Sequence, residues 1–332
     1  MVAIRAENLS KTFKITKRKP GIAGAIQALW KREYSSVEAA KNVSLTIQEG
    51  ELVGFVGPNG AGKTTTLKMI SGLLHPTTGT VNTLGFLPQK RDRAFLQAIT
   101  LVMGNRSQLW WEIPVEESLK LNKEIYELED NFYKQNLTEL VDLLEIQDIL
   151  QTPVKKLSLG QRMKAELCAA LLHRPKLLLL DEPTLGLDIL MQKKVRQFLI
   201  EYNKKFKATV LLTSHNMDDV LELCERILII DHGSLIYDGS LKRVIAQYAP
   251  TKRVAIDFEH PVAEGLAKQF ELTSRNGNPL SFEAQVSRGK IPQFTAELFK
   301  NTGGKLPSIS DLTIEETPIE EVIGKIFTSD RH

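Results

Sequence analysis

The sequence predicts an α/β fold with a parallel sheet and helices packed on it, followed by a small C-terminal α+β domain. Short apolar runs such as 52–56 alternate with longer segments of helical periodicity such as 189–206, which is typical of strands joined by crossover helices. After residue 250 the order changes to three strands and three helices within about 75 residues. The length of 332 residues also favours two domains, at roughly 150 residues per domain.

We place the first domain at 1–248 and the second at 251–330. Within the first, an insertion spans about 15–40 and a helical subdomain about 88–165. The best helices of that subdomain are predicted over 115–128 and 131–146, and another helix over 158–173. The second domain could take a ferredoxin-like arrangement.

The composition is that of a globular protein, with 42% hydrophobic and 25% charged residues. Two cysteines cannot form a disulfide framework, so we expect a reducing compartment. The apolar runs are far shorter than the ~20 residues that cross a bilayer, and the first residues have no apolar signal core. We therefore expect a cytoplasmic chain that would need another chain to span a membrane.

The strongest motif is a glycine-rich segment between a predicted buried strand and a predicted helix. It fits G-x-x-x-x-G-K-[ST] at every fixed position and reads Gly57-Pro58-Asn59-Gly60-Ala61-Gly62-Lys63-Thr64. Glycines let successive N–H groups turn toward phosphate oxygens, and the helix start adds its dipole. Lys63 would place a cation on the phosphates, and the Thr64 hydroxyl could ligate Mg²⁺. The segment therefore predicts a nucleotide-phosphate site.

A second motif is a buried strand over 177–180 that ends in two adjacent carboxylates, Asp181 and Glu182. Asp181 would lie at the carboxyl end of the strand, where it can organise Mg²⁺. Glu182 could polarise an attacking water. Alone, this segment would equally suit an ordinary acidic strand end, but together with the glycine-rich loop it predicts catalysis.

Three further segments are less informative alone. One precedes a helix and reads Leu157-Ser158-Leu159-Gly160-Gln161. Its serine and second glycine could bind an anion, although an N-cap is the simpler interpretation. His215 follows the strand predicted over 208–213, either at a ligand crevice or as a solvated loop residue. Gln108 lies between two apolar segments and by itself indicates little.

Taken in order, these motifs resemble those of the ATP-binding cassette (ABC) ATPases over roughly residues 1–245. A phosphate loop occurs in many NTPases, but this ordered set is specific to one superfamily. The resemblance implies a P-loop NTPase cassette with a RecA-like core, a β-subdomain and an α-helical subdomain.

The same resemblance implies that the chain binds ATP and Mg²⁺ and hydrolyses ATP. Three consecutive residues would hold the phosphates and the metal, namely Lys63, Thr64 and Thr65. Asp181 and Gln108 would join Thr64 at the metal, and Gln108 would couple that site to a partner. Glu182 would be the catalytic base, and His215 would sense the γ-phosphate.

It also implies that ATP is held between two copies arranged head to tail. Ser158, Gly160 and Gln161 would complete the site of the second subunit, and Asp188 would lie at the seam. Phe13, in an early strand, would stack on adenine. We expect a homodimer, and the sequence leaves open a heterodimer of related cassettes.

The chain departs from the common family pattern at three places. Leu159 stands where the signature usually has glycine and would restrict positive φ there. The insertion after Phe13 and the C-terminal domain are the other two. All three features resemble those of the single-cassette ATPases that serve export permeases for drugs, lipids or polysaccharides. This resemblance implies that the extra domain regulates or stabilises the dimer.

The net charge of +3 hides a basic N-terminal segment: residues 1–36 carry eight basic and two acidic side chains, a local charge of +6. Within it, apolar residues recur at helical spacing, and they are Ile22, Ala25, Ile26, Leu29 and Trp30. A basic amphipathic helix with tryptophan suits a membrane surface or the cytoplasmic side of a permease. Packing on the cassette's own surface is an equal alternative.

Trp110 and Trp111 follow Gln108, and we expect them either to line a docking groove for a permease helix or to pack in the helical subdomain. The leading functional prediction is the ATPase subunit of a transporter at the cytoplasmic face of the cell membrane, with export as the predicted direction. The alternative is a soluble, non-transport ABC ATPase acting on nucleic acid or ribosomes. One cassette and no heptad run argue against that nucleic-acid partner.

Overall fold

The computed structural model describes residues 1–17, 33–104, 107–214, 216–263, 267–268, 270–275, 277–302 and 306–329. It divides into two compact units, Met1–Ser240 and Leu241–His332. None of the helices in these described ranges is both long enough and apolar enough to cross a membrane.

The first unit contains two sheets, and the strands and helices are numbered here in chain order. Its strands are β1 (Val2–Lys17), β2 (Glu33–Gln48), β3 (Leu52–Val56), β4 (Thr78–Thr83), β5 (Ile99–Met103), β6 (Leu177–Asp181), β7 (Thr209–Thr213), β8 (Arg226–Asp231) and β9 (Ser234–Ser240). Its helices of six or more residues are α1 (Lys63–Ile70), α2 (Arg93–Ala98), α3 (Val115–Tyr126), α4 (Asp130–Leu144), α5 (Leu159–Leu171), α6 (Ile189–Phe206) and α7 (Met217–Leu223).

The larger sheet has six strands in the order β5-β6-β7-β3-β8-β9. The first five pair in parallel and β9 is antiparallel. Strands β6 and β7 are buried along nearly their whole length, as a parallel sheet covered on both faces requires. The predicted parallel α/β core is confirmed, and it brings the ends of β3, β6 and β7 to one edge.

The smaller sheet is antiparallel in the order β2-β1-β4, and it corrects part of the predicted insertion. Residues 15–17 and 33–40 are strand, because the β1–β2 ladder continues through the pairs Phe13–Val37 and Ile15–Ser35. Aromatic and β-branched residues favour a pleated strand over a helix here. The predicted amphipathic helix over 22–30 lies outside the described residues.

The helical subdomain contains α3, α4 and α5, and the first two end two residues before the predicted limits. Glu127 and Glu145 each adopt a left-handed conformation with φ of 52° directly after the last helical residue. A left-handed residue at this position closes a helix by bonding its N–H to an earlier carbonyl. Sequence periodicity does not report such a conformation, so the predicted helices extend too far.

A buried histidine gives this unit a pH-dependent stability. The His173 ring stacks on Tyr126 with centroids 3.8 Å apart, and its Nε2 lies 3.1 Å from the Ile99 carbonyl oxygen. Burial lowers the pKa of His173 from its ordinary 6.5 to about 4. The unfolded chain therefore takes up a proton below pH 6.5 while the folded chain does not, and stability is lost as pH falls from 6.5 toward 4.

We expect His173 to lower the free energy of unfolding by about 2 kcal/mol between pH 7 and pH 5. Urea unfolding at the two pH values measures the loss. His173→Phe, which retains the stacked ring and has no titrating group, serves as the comparison. An equal loss in that variant would contradict the assignment to His173.

The second unit begins with α8 (Leu241–Tyr248) and contains a four-stranded antiparallel sheet. The remaining elements are β10 (Thr251–Phe258), β11 (Thr273–Ser274), β12 (Ser281–Ser287), α9 (Ile291–Asn301), β13 (Ile309–Glu315) and α10 (Ile319–Ser329). The order β11-β12-β10-β13 is that of a ferredoxin-like sheet. The sequence analysis missed β11, which has only two residues and so no periodicity to detect.

Candidate functional site

The glycine-rich loop connects β3 to α1 and can accept only glycine at two of its positions. A Cβ on Gly57 would lie 2.3 Å from the Ile230 carbonyl oxygen, and one on Gly62 would lie 2.3 Å from that of Ala39. Gly62 also has a φ of +107° and caps α1 without a side-chain hydrogen bond. The first N–H groups of the helix are therefore left for another acceptor, which is the arrangement that binds phosphate.

The Lys63 ammonium lies across this loop. Its Nζ donates to the carbonyl oxygens of Gly57 at 2.6 Å and Pro58 at 3.1 Å, and the residue is buried. Burial lowers the pKa of Lys63, while the carboxylates of Glu182 and Asp181 act in the opposite direction. The loop, the cation and the two carboxylates thus form one electrostatic site. Pro58, Asn59 and Gly60 are its exposed rim, Ala61 is buried and Thr65 is half-buried.

Two threonine hydroxyls converge on the carboxylate of Asp181. The Thr64 Oγ1 lies 2.9 and 3.1 Å from its two oxygens, and the Thr213 Oγ1 donates to Oδ1 at 2.7 Å. Mg²⁺ prefers oxygen ligands such as these. In nucleotide sites it is usually bound by one or two carboxylates of the protein together with oxygens of the substrate phosphates. The residues present fit a magnesium ion beside the phosphate loop.

Glu182 directly follows β6 in a left-handed conformation, with φ of 56°. Such a conformation costs a non-glycine residue about 1 kcal/mol or more. The Glu182 N–H donates to both the carbonyl oxygen and the Oγ1 of Thr213, each at 3.1 Å. Strained residues held by neighbouring strands are frequent at functional sites. Here the left-handed conformation of Glu182 changes the direction of the chain where β6 ends.

Gln108 bonds to strand β5 and to Glu166 of α5. Its side-chain Nε2 donates to the Leu101 carbonyl oxygen at 3.4 Å, and its backbone N–H donates to Glu166 at 2.8 Å. Within the described residues, no hydrogen bond joins Gln108 to Thr64 or Asp181. Its metal role therefore stays a prediction.

The signature segment forms the start of α5. Ser158 is the N-cap, and its side chain and that of Gln161 form a reciprocal capping box with backbone distances of 3.2 and 3.0 Å. Leu159 is the first helical residue and has no positive φ, so the expected backbone restriction does not arise. Gly160 faces Met191, whose Cγ would lie 3.0 Å from an added Cβ.

The signature segment and the phosphate loop belong to different elements, the start of α5 and the β3–α1 connection. Over the residues that the structure describes, no hydrogen bond or ion pair connects Ser158, Gly160 or Gln161 to residues 57–65. Asp188 caps α6 through a bond from the Met191 N–H at 2.9 Å. Phe13 is 37% exposed on β1, with the Lys11 Nζ 5.4 Å from its ring centroid. His215 lies outside the described residues.

Two positioning residues escaped the sequence analysis. Thr213 bonds both Asp181 and Glu182, and it could have been found from the parallel pairing of two apolar strands, which places Thr213 opposite Asp181. Asp219 is fully buried and accepts bonds from Arg196, Ser214 and Thr184. Nothing in the acidic pair at 218–219 distinguishes it from a solvated helix start.

The parallel sheet, the phosphate loop and the acidic strand end define a P-loop ATPase. The ABC transporter family model matches residues 40–185. NatA of Bacillus subtilis (strain 168), an ABC transporter ATP-binding protein, is 37% identical over 62% of this chain and 83% of its own length. The chain belongs to this family as an ATP-binding subunit of an ABC transporter, and it hydrolyses ATP with Mg²⁺.

Two further comparisons extend over more of the chain. MetN 2 of Enterococcus faecalis (strain ATCC 700802 / V583), a methionine import ATP-binding protein, is 28% identical over 87% of this chain and 83% of its own length. A dimeric post-hydrolysis structure of the ATP-binding cassette MJ0796, bound to ADP and phosphate, is 25% identical. It covers 72% of this chain and 98% of that chain, with a TM-score of 0.59.

Proposed function

We propose that this chain pairs with a second copy around two ATP molecules and powers a separate membrane permease in the direction of export. The observation that carries the proposal is a groove of about 620 Å³ beside Gln108. Ser107, Gln108 and Trp110 are among its lining residues, together with a wall from α3. A permease segment bound in this groove would therefore contact Gln108, the residue to which the family resemblance gives a role at the metal.

At the ATP site, this chain's residues bind and orient the substrate. Lys63 and the free N–H groups at the start of α1 would bind the phosphates, and Phe13 would stack on the base. Thr64, Asp181 and Gln108 would hold Mg²⁺, which when bound neutralises phosphate charge. Glu182 would take the proton of the attacking water, and His215 would contact the γ-phosphate.

The second copy is supported by the separation of the signature segment from the phosphate loop and by apolar exposure around it. Ile189 and Leu190 are 80% and 76% exposed directly after Asp188. Leu159 reaches the same surface, because its Cδ2 would lie 3.0 Å from a Cβ on Gly186. Burial of this surface against a second copy would remove apolar area from water and complete each site.

The two neighbouring tryptophans differ in their surroundings. Trp110 lines the groove and is 42% exposed. Trp111 is 49% exposed but is not part of the lining, and it lies 5.6 Å from the Arg162 guanidinium. Of the two, Trp110 is therefore the aromatic anchor for a permease helix.

We expect Trp110→Ala to weaken assembly with the permease by about 2 kcal/mol, roughly 30-fold, because buried aromatic anchors dominate such interfaces. Trp111→Ala is the matched control, since it removes a neighbouring exposed tryptophan outside the groove. The measurement is copurification from the native membrane, with the ATPase activity of the isolated chains as a check on folding. Equal losses in both variants would contradict docking in the groove.

The same copurification tests the proposed function as a whole. An integral partner with several apolar spans, found at the cytoplasmic face of the cell membrane, is the expected result. Recovery of ribosomes or nucleic acid instead would establish the non-transport alternative. Direction is tested in inverted membrane vesicles, in which ATP makes an exporter accumulate its cargo and an importer release it.

Two further parts of the proposal concern the C-terminal domain, whose role is drawn from the family resemblance, and the basic N-terminal segment. The domains are assigned to 1–248 and 251–330, with the second regulating or stabilising the dimer. The basic segment around 17–32 would contact lipid headgroups or the permease, because its charge suits an anionic surface.

A further inference from the structure

Glu166 is a buried acid in α5 that the proposed chemistry does not use. It lies two turns after Ser158, the residue that begins the signature helix. Its exposed fraction is 6%, which is unusual for a glutamate unless its oxygens are paired. Burial raises the pKa of Glu166, and the donors around it act in the opposite direction.

Those donors come from the loop that carries Gln108. The Gln108 backbone N–H donates to Glu166 Oε2 at 2.8 Å, and the Ser107 hydroxyl donates to Oε1. Ser107 also bonds the backbone of Leu109, whose N–H lies 3.1 Å from its Oγ and whose carbonyl oxygen lies 2.9 Å from it. One carboxylate thus fixes a three-residue turn, and bonds to an ionised acceptor are the stronger kind.

The turn over 107–109 lies at the groove, and helix α5 begins at the signature segment. Ser107, Gln108 and Leu109 line the groove, whereas the first turn of α5 carries Ser158 and Gly160. A second contact runs in parallel, because Arg162 on α5 lies 5.6 Å from the Trp111 ring. These contacts connect α5 to the backbone of Gln108 and to the groove, so a shift of either one would be transmitted to the other.

We propose that Glu166 is a positioning residue that fixes the Gln108 backbone to the signature helix and so sets the reach of Gln108 to the metal. This inference rests on the proposed metal role of Gln108. It adds a residue that contacts neither ATP nor Mg²⁺ and that links the permease groove to the surface for the second copy's ATP.

The test is the Mg²⁺ concentration that half-saturates the purified full chain in the presence of ATP, measured both by ATP hydrolysis and by titration calorimetry of Mg²⁺ binding. Glu166→Leu removes both bonds and should raise that concentration about 10-fold, the usual effect of losing a residue that orients a metal ligand. Glu166→Gln should stay within about 3-fold, because an amide oxygen can still accept from Gln108 while its NH₂ group donates to Ser107. Ser107→Ala removes one bond and gives an intermediate variant if Glu166→Leu does not fold.

Two comparisons separate positioning from general loosening of the helix. Cys168→Ala changes another buried residue of α5 and should leave the Mg²⁺ dependence unchanged. In a Gln108→Ala background, Glu166→Leu should add less than about 2-fold, because residues that act through one another are not additive. A full 10-fold increase in that background, or none in the wild-type background, would overturn the proposal. A wild-type chain without Mg²⁺-dependent hydrolysis would instead refute the metal assignment beneath it.

Discussion

Replacement of Glu182 by glutamine is expected to lower the rate of ATP hydrolysis by about 10²- to 10⁴-fold, the range of a general base. Glutamine keeps the length of the side chain and the backbone bonds to Thr213, which come from the N–H of residue 182. The substitution removes the carboxylate that would accept the proton of the attacking water, together with its charge beside Lys63. The variant should therefore fold as the wild type does.

Binding of ATP should change little, because the phosphate-binding groups are Lys63 and the N-terminus of α1 rather than Glu182. We expect an ATP dissociation constant within about 3-fold of wild type. Since the bound nucleotide is no longer turned over, ATP should also shift the variant toward the dimer by mass action. Size-exclusion chromatography with and without ATP measures that shift.

Glu201→Gln is the matched control, as it makes the same change at an exposed site on α6. It should hydrolyse ATP at the wild-type rate and show no ATP-trapped dimer. A Glu182→Gln variant with hydrolysis within about 3-fold of wild type would remove Glu182 from the base role. Loss of nucleotide binding together with hydrolysis would show that Glu182 supports the structure of the site instead.

Features that are contiguous in the chain could be predicted from the sequence. The phosphate loop occupies residues 57–64, and its requirement for glycine follows from positive φ and from close carbonyl oxygens such as that of Ile230. The helix Ile189–Phe206 has the predicted limits, because its apolar periodicity, its N-cap at Asp188 and its end at Lys207 coincide. Local rules and the final fold agree in these segments.

Features that depend on distant side chains could not be predicted. Glu166 and Ser107 are 59 residues apart, and Asp219 and Thr184 are 35 apart. No periodicity or spacing encodes such a pair, and only the tertiary fold brings the partners together. The extension of β1 and β2 was not predicted for a related reason, since half of the evidence for a strand pair lies in the cross-strand partner.

The second large effect concerns Asp219, a carboxylate with no exposed surface. Its Oδ1 accepts from Arg196 Nη1 at 2.9 Å, its Oδ2 accepts from the Ser214 hydroxyl at 2.7 Å, and the Thr184 hydroxyl donates to the same Oδ2. Arg196 is itself buried. Removal of Asp219 leaves the buried Arg196 with only the half-exposed Glu222 as an ionic partner, and breaking a buried pair costs far more than the pair contributes.

We therefore expect Asp219→Ala to lower the free energy of unfolding by about 3–5 kcal/mol, measured by urea unfolding. Glu222→Gln is the control on the same arginine. Glu222 bonds Arg196 Nε at 2.8 Å, but its side chain is 48% exposed, so the loss should be under about 1 kcal/mol. A loss in Asp219→Ala as small as that of the control would contradict the central position of Asp219.

The position of Asp219 also predicts an effect on catalysis that stability alone does not. Thr184 lies two residues after Glu182, and Ser214 precedes His215, so one carboxylate holds both segments that carry the proposed catalytic side chains. Asp219→Asn retains an acceptor for the hydroxyls and lowers the charge beside Arg196. It should recover part of the stability, and its kcat should still fall more than that of Glu222→Gln. If kcat follows only the folded fraction in every variant, Asp219 stabilises the core and does not position Glu182.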